Sequence, residues 1–329
     1  MSRNLAPLSL AASLLAGAAF ADAPNVAVDI TPVHSLVARV MEGVGEPSLI
    51  VASGASPHEY SLRPSEAGAL QDADLVFWVG PDLTPWLHDA IETLANDATV
   101  VELIETDGTT ELPSRENALL EAHDHGDEGH DADHEDEDHG DHAEEHADDD
   151  HAGHEGHDHG GHDPHAWLSL DNGAVWLNAI AAALSTADPD NAGTYYANAA
   201  AGRADLANLR TEINSILDPV RGGHFVVFHD AYQYFEVTFD FPASGAITVS
   251  DATDPSPARI AEIQARVADQ NVTCIMAEPQ FSPGIVAAIM DGTEAHTGVL
   301  DPLGSDLEPG PNLYPQLLRN LAKSLADCL

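Results

Sequence analysis

Near the middle of this chain stands a stretch that cannot join any packed core. From Glu121 to Asp163 it reads EAHDHGDEGHDADHEDEDHGDHAEEHADDDHAGHEGHDHGGHD, and it holds twelve of the nineteen histidines. Its apolar content is too low to offset the entropy of ordering the backbone, so the tract is expected to stay disordered without metal. The chain must therefore fold from the stretches on either side. Of 329 residues, enough remain for two domains of ordinary size.

Both flanks alternate short apolar runs with helical patterns. Before the tract, NVAVDI, PSLIVA, LVFWVG and TVVEL read as strands. HSLVARVMEGV, RPSEAGALQDA and TPWLHDAIETLA read as helices, the last two with a proline near the first turn. After it, LDNGAVWLNAIAAALSTAD reads as a helix. NAGTYYANAAAGRADLANLRTEINSILDPV is then a helical pattern long enough to form a spine between two halves. A second alternation follows: HFVVFH, GAITV, VTCIMAEPQ and HTGVL as strands, DAYQYFEVTF, SPARIAEIQARVADQ, SPGIVAAIMDGT and LYPQLLRNLAKSLADCL as helices. Strand–helix alternation with short links predicts α/β structure with parallel sheets. The expected architecture is two (β/α) lobes joined by one long rigid helix. The lobes span 22–188, interrupted by the tract at 121–163, and 219–329, with the linking helix at 189–218.

The ends and the composition narrow the setting. Residues 1–21 have the anatomy of a secretory signal, with Arg3 in the positive region, an apolar core from Leu5 to Phe20, and a small-residue cleavage site at Ala19-Phe20-Ala21. Cleavage after Ala21 is preferred to cleavage after Ala23, which would leave Pro24 first. The apolar core is short for a membrane span, and no later segment is long and apolar enough. A soluble, exported chain is expected. The formal net charge of −45 repels nucleic acid and anionic membranes and attracts cations. Two cysteines, Cys274 and Cys328, fit one disulfide in an exported chain. Thiolate metal ligands are the alternative, but no CxxC or third cysteine accompanies them.

In parallel α/β lobes, ligands collect outside the carboxyl ends of the strands. Four residues with metal-ligand chemistry fall there. His58 lies in the loop after SLIVA, His165 just before the helix that resumes order, His229 at the end of HFVVFH, and Asp301 at the end of TGVL. Two come from each lobe, which places the expected site between them. Three neutral imidazoles and a carboxylate suit tetrahedral zinc; imidazole also suits copper and nickel, whereas manganese asks for more oxygen ligands. Glu59 is a spare acid beside this set, though an exposed loop carboxylate is the blander account of it. His34, His88, His224 and His296 carry no assignment. His34 and His224 could approach the expected cleft, but satisfied structural histidines are the more frequent case. Trp78, Trp86 and the YQYF aromatics are most simply core.

SGASPHEYSLRPS, DPHAWLS, VFHDAYQYFE, MAEPQFSP and LDPLGS, in this order, closely resemble motifs of the periplasmic zinc-binding component of bacterial ABC importers, the ZnuA type. The resemblance covers essentially the whole mature chain. It implies two lobes, a rigid connecting helix and metal in the cleft, with the family's three histidine ligands at His58, His165 and His229. Manganese-type relatives typically place Glu at the third position, so His229 speaks for zinc. The fourth position varies in the family: Asp301, Glu59 and water remain the alternatives. The cysteine pair also matches the family's C-terminal disulfide. The family's histidine-rich insert ends just before the second ligand, as here. His165, fixed by Pro164, Trp167 and the helix beyond, thus separates from the twelve tract histidines His123, His125, His130, His134, His139, His142, His146, His151, His154, His157, His159 and His162.

What the resemblance implies is capture of Zn²⁺ in the periplasm, without catalysis, and delivery to an inner-membrane permease driven by a cytoplasmic ATPase. The carrier is expected as a monomer, with other periplasmic zinc chaperones among its further partners. The tract is expected to act as a low-affinity zinc antenna, ahead of the readings as a sensor or a plain acidic linker. Its imidazoles are largely neutral at pH 7, so some binding of divalent metal follows from composition alone. A free-standing zinc buffer is the main rival. A metallohydrolase is the second, though HDHGGH is weak in so biased a tract, and neither HExxH nor G-x-S-x-G occurs.

Overall fold

The computed structural model describes residues 23–115, 161–248, 256–280 and 283–329. The expected signal segment and eleven of the twelve tract histidines, His123 to His159, lie outside the described residues. The first sheet takes strands β1 (Val26–Val28), β2 (Ser48–Leu49), β3 (Leu75–Trp78) and β4 (Thr99–Glu102), with helices α1 (Thr31–Met41), α2 (Pro64–Gln71) and α3 (Pro85–Leu94) between them. Its order is β2-β1-β3-β4, all parallel. Helices α4 (Leu170–Ala187) and α5 (Ala192–Leu217) come next. The second sheet takes β5 (Phe225–His229), β6 (Gly245–Thr248), β7 (Cys274–Ala277) and β8 (His296–Val299), interleaved with α6 (Gln233–Phe239), α7 (Pro257–Asp269) and α8 (Pro283–Met290). Its order is β6-β5-β7-β8, again all parallel. Helix α9 (Leu313–Cys328) closes the chain.

Side chains alternate along each strand, so each sheet buries two faces. Val26, Val28, Leu75 and Phe77 join the central core, and Ala27, Val76 and Trp78 pack under α2 and α3. In the second sheet Phe225, Val227, Cys274 and Met276 join that same central core, while Val226, Phe228 and Ile275 face α7 and α8. One apolar core therefore runs through both lobes. Helix α5, about 39 Å long at 1.5 Å per residue, buries a stripe of Tyr195, Ala199, Gly202, Leu206, Leu209, Ile213 and Leu217 along it. Helix α9 packs on α5, α1 and β8, so the end of the chain reaches back to the first lobe. Gly173 permits this approach, since a Cβ there would stand 2.6 Å from the Tyr314 hydroxyl.

Local chemistry sets the helix starts. Pro32, Pro64, Pro85 and Pro257 stand in first turns, where the missing N–H costs nothing. Ser169 Oγ accepts from Asn172 N at 3.3 Å to cap α4, and Ser256 does the same for α7. Three differences from the expected elements stand out. The short 3-10 turns Ala166–Leu168, Pro189–Asn191 and Asp218–Val220 have no counterpart in the periodicity. Helix α6 begins at Gln233 rather than Asp230, because the Ala231 N–H turns back to the His229 carbonyl at 2.9 Å. The third difference is at the end of the tract, where residues 161–163 are ordered. Ser114 N donates to Gly161 O and Asp163 N to Leu112 O, both at 2.8 Å, and Pro113 pairs with His162 as an antiparallel bridge. These bonds close a neck between residues 112–114 and 161–163.

Candidate metal centre

The second lobe supplies a rigid histidine. His229 is the last residue of β5, and Glu278 stands just past the end of the neighbouring β7. Glu278 Oε1 accepts from His229 N at 3.2 Å and from Nδ1 at 2.7 Å. His165 follows the neck and precedes the 3-10 turn at Ala166. Its backbone N and its Nδ1 both reach Asp163 Oδ1, at 2.9 and 2.7 Å. All four side chains are buried. A carboxylate on Nδ1 holds the proton there, fixes the ring and leaves the Nε2 lone pair for an ion.

Those two Nε2 atoms lie 3.4 Å apart. Two nitrogens bound to one tetrahedral zinc at about 2.0–2.1 Å are separated by about 3.3–3.4 Å. The geometry fits a shared cation. His58 completes the group from the loop between β2 and α2: its ring centroid lies 5.5 Å from that of His165, which is 5.2 Å from that of His229. One ligand atom from each of the three lies within 4.8 Å of the others. The loop carrying His58 is held by Trp86, whose indole N–H donates to Pro57 O at 2.7 Å, and the His58 N–H reaches Ser56 Oγ at 3.3 Å.

Asp301 does not join this group. Its carboxylate accepts from the backbone N–H groups of Leu303, Gly304 and Ser305 and from Ser305 Oγ, and so shapes the turn after β8. A carboxylate committed to three backbone donors would have to leave them to reach an ion. Glu59, an exposed loop residue, is likewise absent from the group. His162 lies in the neck and pairs with Glu111, Nδ1 to Oε2 at 3.2 Å. His34 is buried against Pro47 O at 3.0 Å, with burial pushing its pKa down, and His224 faces Ser244 Oγ. His88 forms an exposed group with Asp89 and Glu92 on α3.

Sequence reasoning missed the carboxylates around the histidines. By composition Asp163 belongs to the tract, and Glu278 lies in the MAEPQFSP motif with nothing local to mark a role. Arg115, at the root of the tract, pairs with Asp230 at 2.8 Å and with both oxygens of Glu236 at 3.1 Å. Burial acts to lower the Arg115 guanidinium, but Glu236, Asp230 and Asp163 together hold it above its usual range. Burial pushes Asp163 up to about 7, opposed by the His165 N–H and the charge of Arg115. The Asp230 carboxyl is raised to about 7 by the same cause. Tyr234 ties the neck to α6, accepting from Leu112 N at 2.9 Å and donating to Asp163 O at 3.0 Å. A further tie crosses from Trp167 Nε1 to Pro302 O at 2.8 Å. Cys274 and Cys328 form a disulfide with Cα atoms 5.9 Å apart, joining β7 to α9.

Two parallel α/β lobes, a long connecting helix and a histidine group in the cleft define a solute-binding protein of the metal-ion class. Among the described residues no helix is long and apolar enough to cross a membrane. The chain belongs to the family of the periplasmic zinc-uptake complex component A, ZnuA, whose model matches residues 26–328. It is 46% identical over 331 residues to the high-affinity zinc uptake system protein ZnuA of Brucella abortus (strain 2308), covering 99% of each chain. Among solved structures, a crystal structure of ZnuA overlays with a TM-score of 0.72 at 23% identity, over 93% of this chain and 99% of that one. A zinc-bound ZnuA lacking residues 138–173 of its own chain overlays with a TM-score of 0.70 at 23% identity, over 93% and 98%.

Proposed function

We propose that this protein captures Zn²⁺ in the periplasm with His58, His165 and His229 and hands it to an inner-membrane ABC permease. The observation that carries the reading is the pair of carboxylate-oriented imidazoles, with Nε2 atoms 3.4 Å apart and a third imidazole beside them. A donor set of three nitrogens suits zinc better than manganese, which favours oxygen. Relatives named as zinc-uptake proteins over nearly the whole chain support the same ion. The chemistry is ligand exchange. Affinity falls as pH drops below about 6.5, where free imidazoles take up protons. Bound zinc stabilises the fold by mass action, about 4 kcal/mol at a thousandfold excess over Kd. The histidine-rich tract gathers zinc at low affinity.

Calorimetric zinc titration of three proteins tests this. They are the mature chain, a variant with residues 116–160 replaced by a short glycine turn, and that variant carrying His58→Ala. The expected result is one tight site that survives the replacement and is lost with His58→Ala, with the weaker sites gone from both shortened proteins. If the replacement itself abolishes tight binding, the metal site lies in the tract and the cleft reading is overturned.

A further inference from the structure

Asp163, the carboxylate on His165 Nδ1, has every polar group committed. Its N–H donates to Leu112 O at 2.8 Å, and its Oδ1 accepts from the backbone N and the Nδ1 of His165. Its carbonyl accepts from the Tyr234 hydroxyl at 3.0 Å. Its Oδ2 accepts at 3.0 Å from the Gln233 amide, which, turned so that its nitrogen meets acceptors, also donates to Pro113 O at 3.1 Å. Gln233 and Tyr234 are the first two residues of α6, in the second lobe. The same helix holds the other side of the neck. Glu236 takes the Arg115 guanidinium through both oxygens at 3.1 Å, and Asp230, just ahead of α6, lies 2.8 Å from it. Arg115 thus faces three buried carboxylates, Glu236, Asp230 and Asp163.

By chain order His165 belongs to the first lobe, but bonds that set its carboxylate come from α6, the helix that follows His229. The loop of His58 is tied differently, to Trp86 and Ser56 of the first lobe. We propose that Arg115, Gln233 and Tyr234 form a clasp that fastens the neck to α6 and so positions His165 against His229. Gln233 and Arg115 are then positioning residues for the ion. Gln233 holds the Asp163 carboxylate directly. Arg115 pins the segment from Leu112 to Ser114, which bonds Asp163 and Gly161 from the other side. Without the guanidinium, three buried carboxylates would be left uncompensated, and the neck would move off α6 to reach water. Asp163 would go with it, and the His165 ring would lose the 3.4 Å spacing of the two Nε2 atoms. This rests on the zinc-capture reading and extends it from the ligands to the element that spaces them.

Two measurements on the mature chain test the clasp: zinc affinity, read by competition with a chelating dye, and urea unfolding of the metal-free form. Gln233→Leu removes the donor to Asp163 without changing the charge, and zinc binding is expected to weaken about tenfold, as for an outer-shell partner. Arg115→Met should weaken it at least as much and also lower the urea midpoint, because the buried carboxylates lose their cation. A residue that only supported the fold would lower the midpoint and leave the affinity of the folded protein unchanged. The decisive comparison repeats both substitutions on Asp163→Ala. If they act through the Asp163 carboxylate, each costs less than about twofold more in that background, since the group they position is gone. Losses as large on Asp163→Ala as on wild type, or wild-type affinity in either folded single variant, overturn the clasp. Gln233→Leu keeps the test decisive if Arg115→Met fails to fold. Wild-type affinity in His165→Ala would overturn the capture reading itself, a result distinct from the others.

Discussion

The two sheets repeat one topology and use the same place in it differently. In each, the first strand pairs with the third, and the connections leave that pair toward opposite edges. Such a switch point is where α/β sheets bind ligands. Val28 lies opposite Phe77 in the first sheet, and Val227 opposite Met276 in the second. By this register Ile30 and Val79 correspond to His229 and Glu278. A single carboxylate bridges the two strand ends in both lobes. In the first, Asp29 accepts from Ile30 N and Val79 N, each at 2.7 Å, and its two oxygens are spent on backbone. In the second, one oxygen of Glu278 takes the His229 N–H and the ring Nδ1, and the residue lines the histidine cavity. The topology supplies a place with backbone donors in both lobes. A histidine on the strand end makes one of them the candidate metal site.

Exchanging the contents of the two switch points tests that contrast, with effects on zinc affinity that fall from one position to the next. His229→Ala removes a proposed ligand, so its effect should exceed the ~10–100-fold cost of losing an outer-shell partner, and calorimetry should find no tight site. The matching change in the first lobe, Ile30→Ala, costs about 2–5 kcal/mol of stability as a core truncation and leaves affinity in place. Glu278→Gln comes next. Its amide no longer carries the charge that holds the His229 ring, and affinity is expected to fall about 10–100-fold. An affinity unchanged by Glu278→Gln would show that the carboxylate does not orient the ligand.

Cys328→Ser has a smaller effect on affinity and a large one on stability. The disulfide closes a loop with a sequence separation of 54 in the second lobe. Its loss costs about 4 kcal/mol by the chain-entropy relation. Urea unfolding should show that loss, while the zinc isotherm of the folded variant stays that of wild type. A parallel loss of affinity would mean that β7, and Glu278 with it, depends on the staple for its position.

Strands β1, β3, β5 and β7 and the long helix were legible because their periodicities are strong and local. The grouping of His58, His165 and His229 was legible because each sits inside a recognisable motif, His229 at a strand end, His165 before a helical turn and His58 in the loop between β2 and α2. The carboxylates were not, for different reasons. Asp163 belongs by composition to the tract, and only the neck bonds to Leu112 and Tyr234 separate it. Glu278 lies 49 residues from His229 and meets it only when β5 and β7 pair. Arg115 joins Glu236 across 121 residues. Asp301 carried ligand chemistry in the sequence, but its use depends on the turn that presents the N–H groups of residues 303–305 to it. Local pattern reports what a residue is able to bind, and the tertiary fold decides which partner reaches it first.

Asp29→Asn is the substitution with the least expected effect on zinc. Asp29 is fully buried, and burial pushes its carboxyl up to about 7 against the N–H groups of Val79 and Ile30, which favour the charged form. The folded chain therefore holds this proton more tightly than the unfolded chain, where the ordinary value is about 3.9. Its contribution to stability is fully present below that ordinary value and is lost as pH rises toward 7. Asparagine has no proton to give up there and retains a carbonyl acceptor for one of the two N–H groups. Urea unfolding of the chelated protein between pH 4 and 7 should lose one proton's worth of slope, up to about 1.4 kcal/mol per pH unit. The slope contributed by Asp163 and Asp230, which burial also raises, should remain. Zinc affinity at pH 7.5 should match wild type. If Asp29→Asn weakened zinc binding as Glu278→Gln does, the first switch point would be coupled to the site, and the division of labour between the two lobes would have to be abandoned.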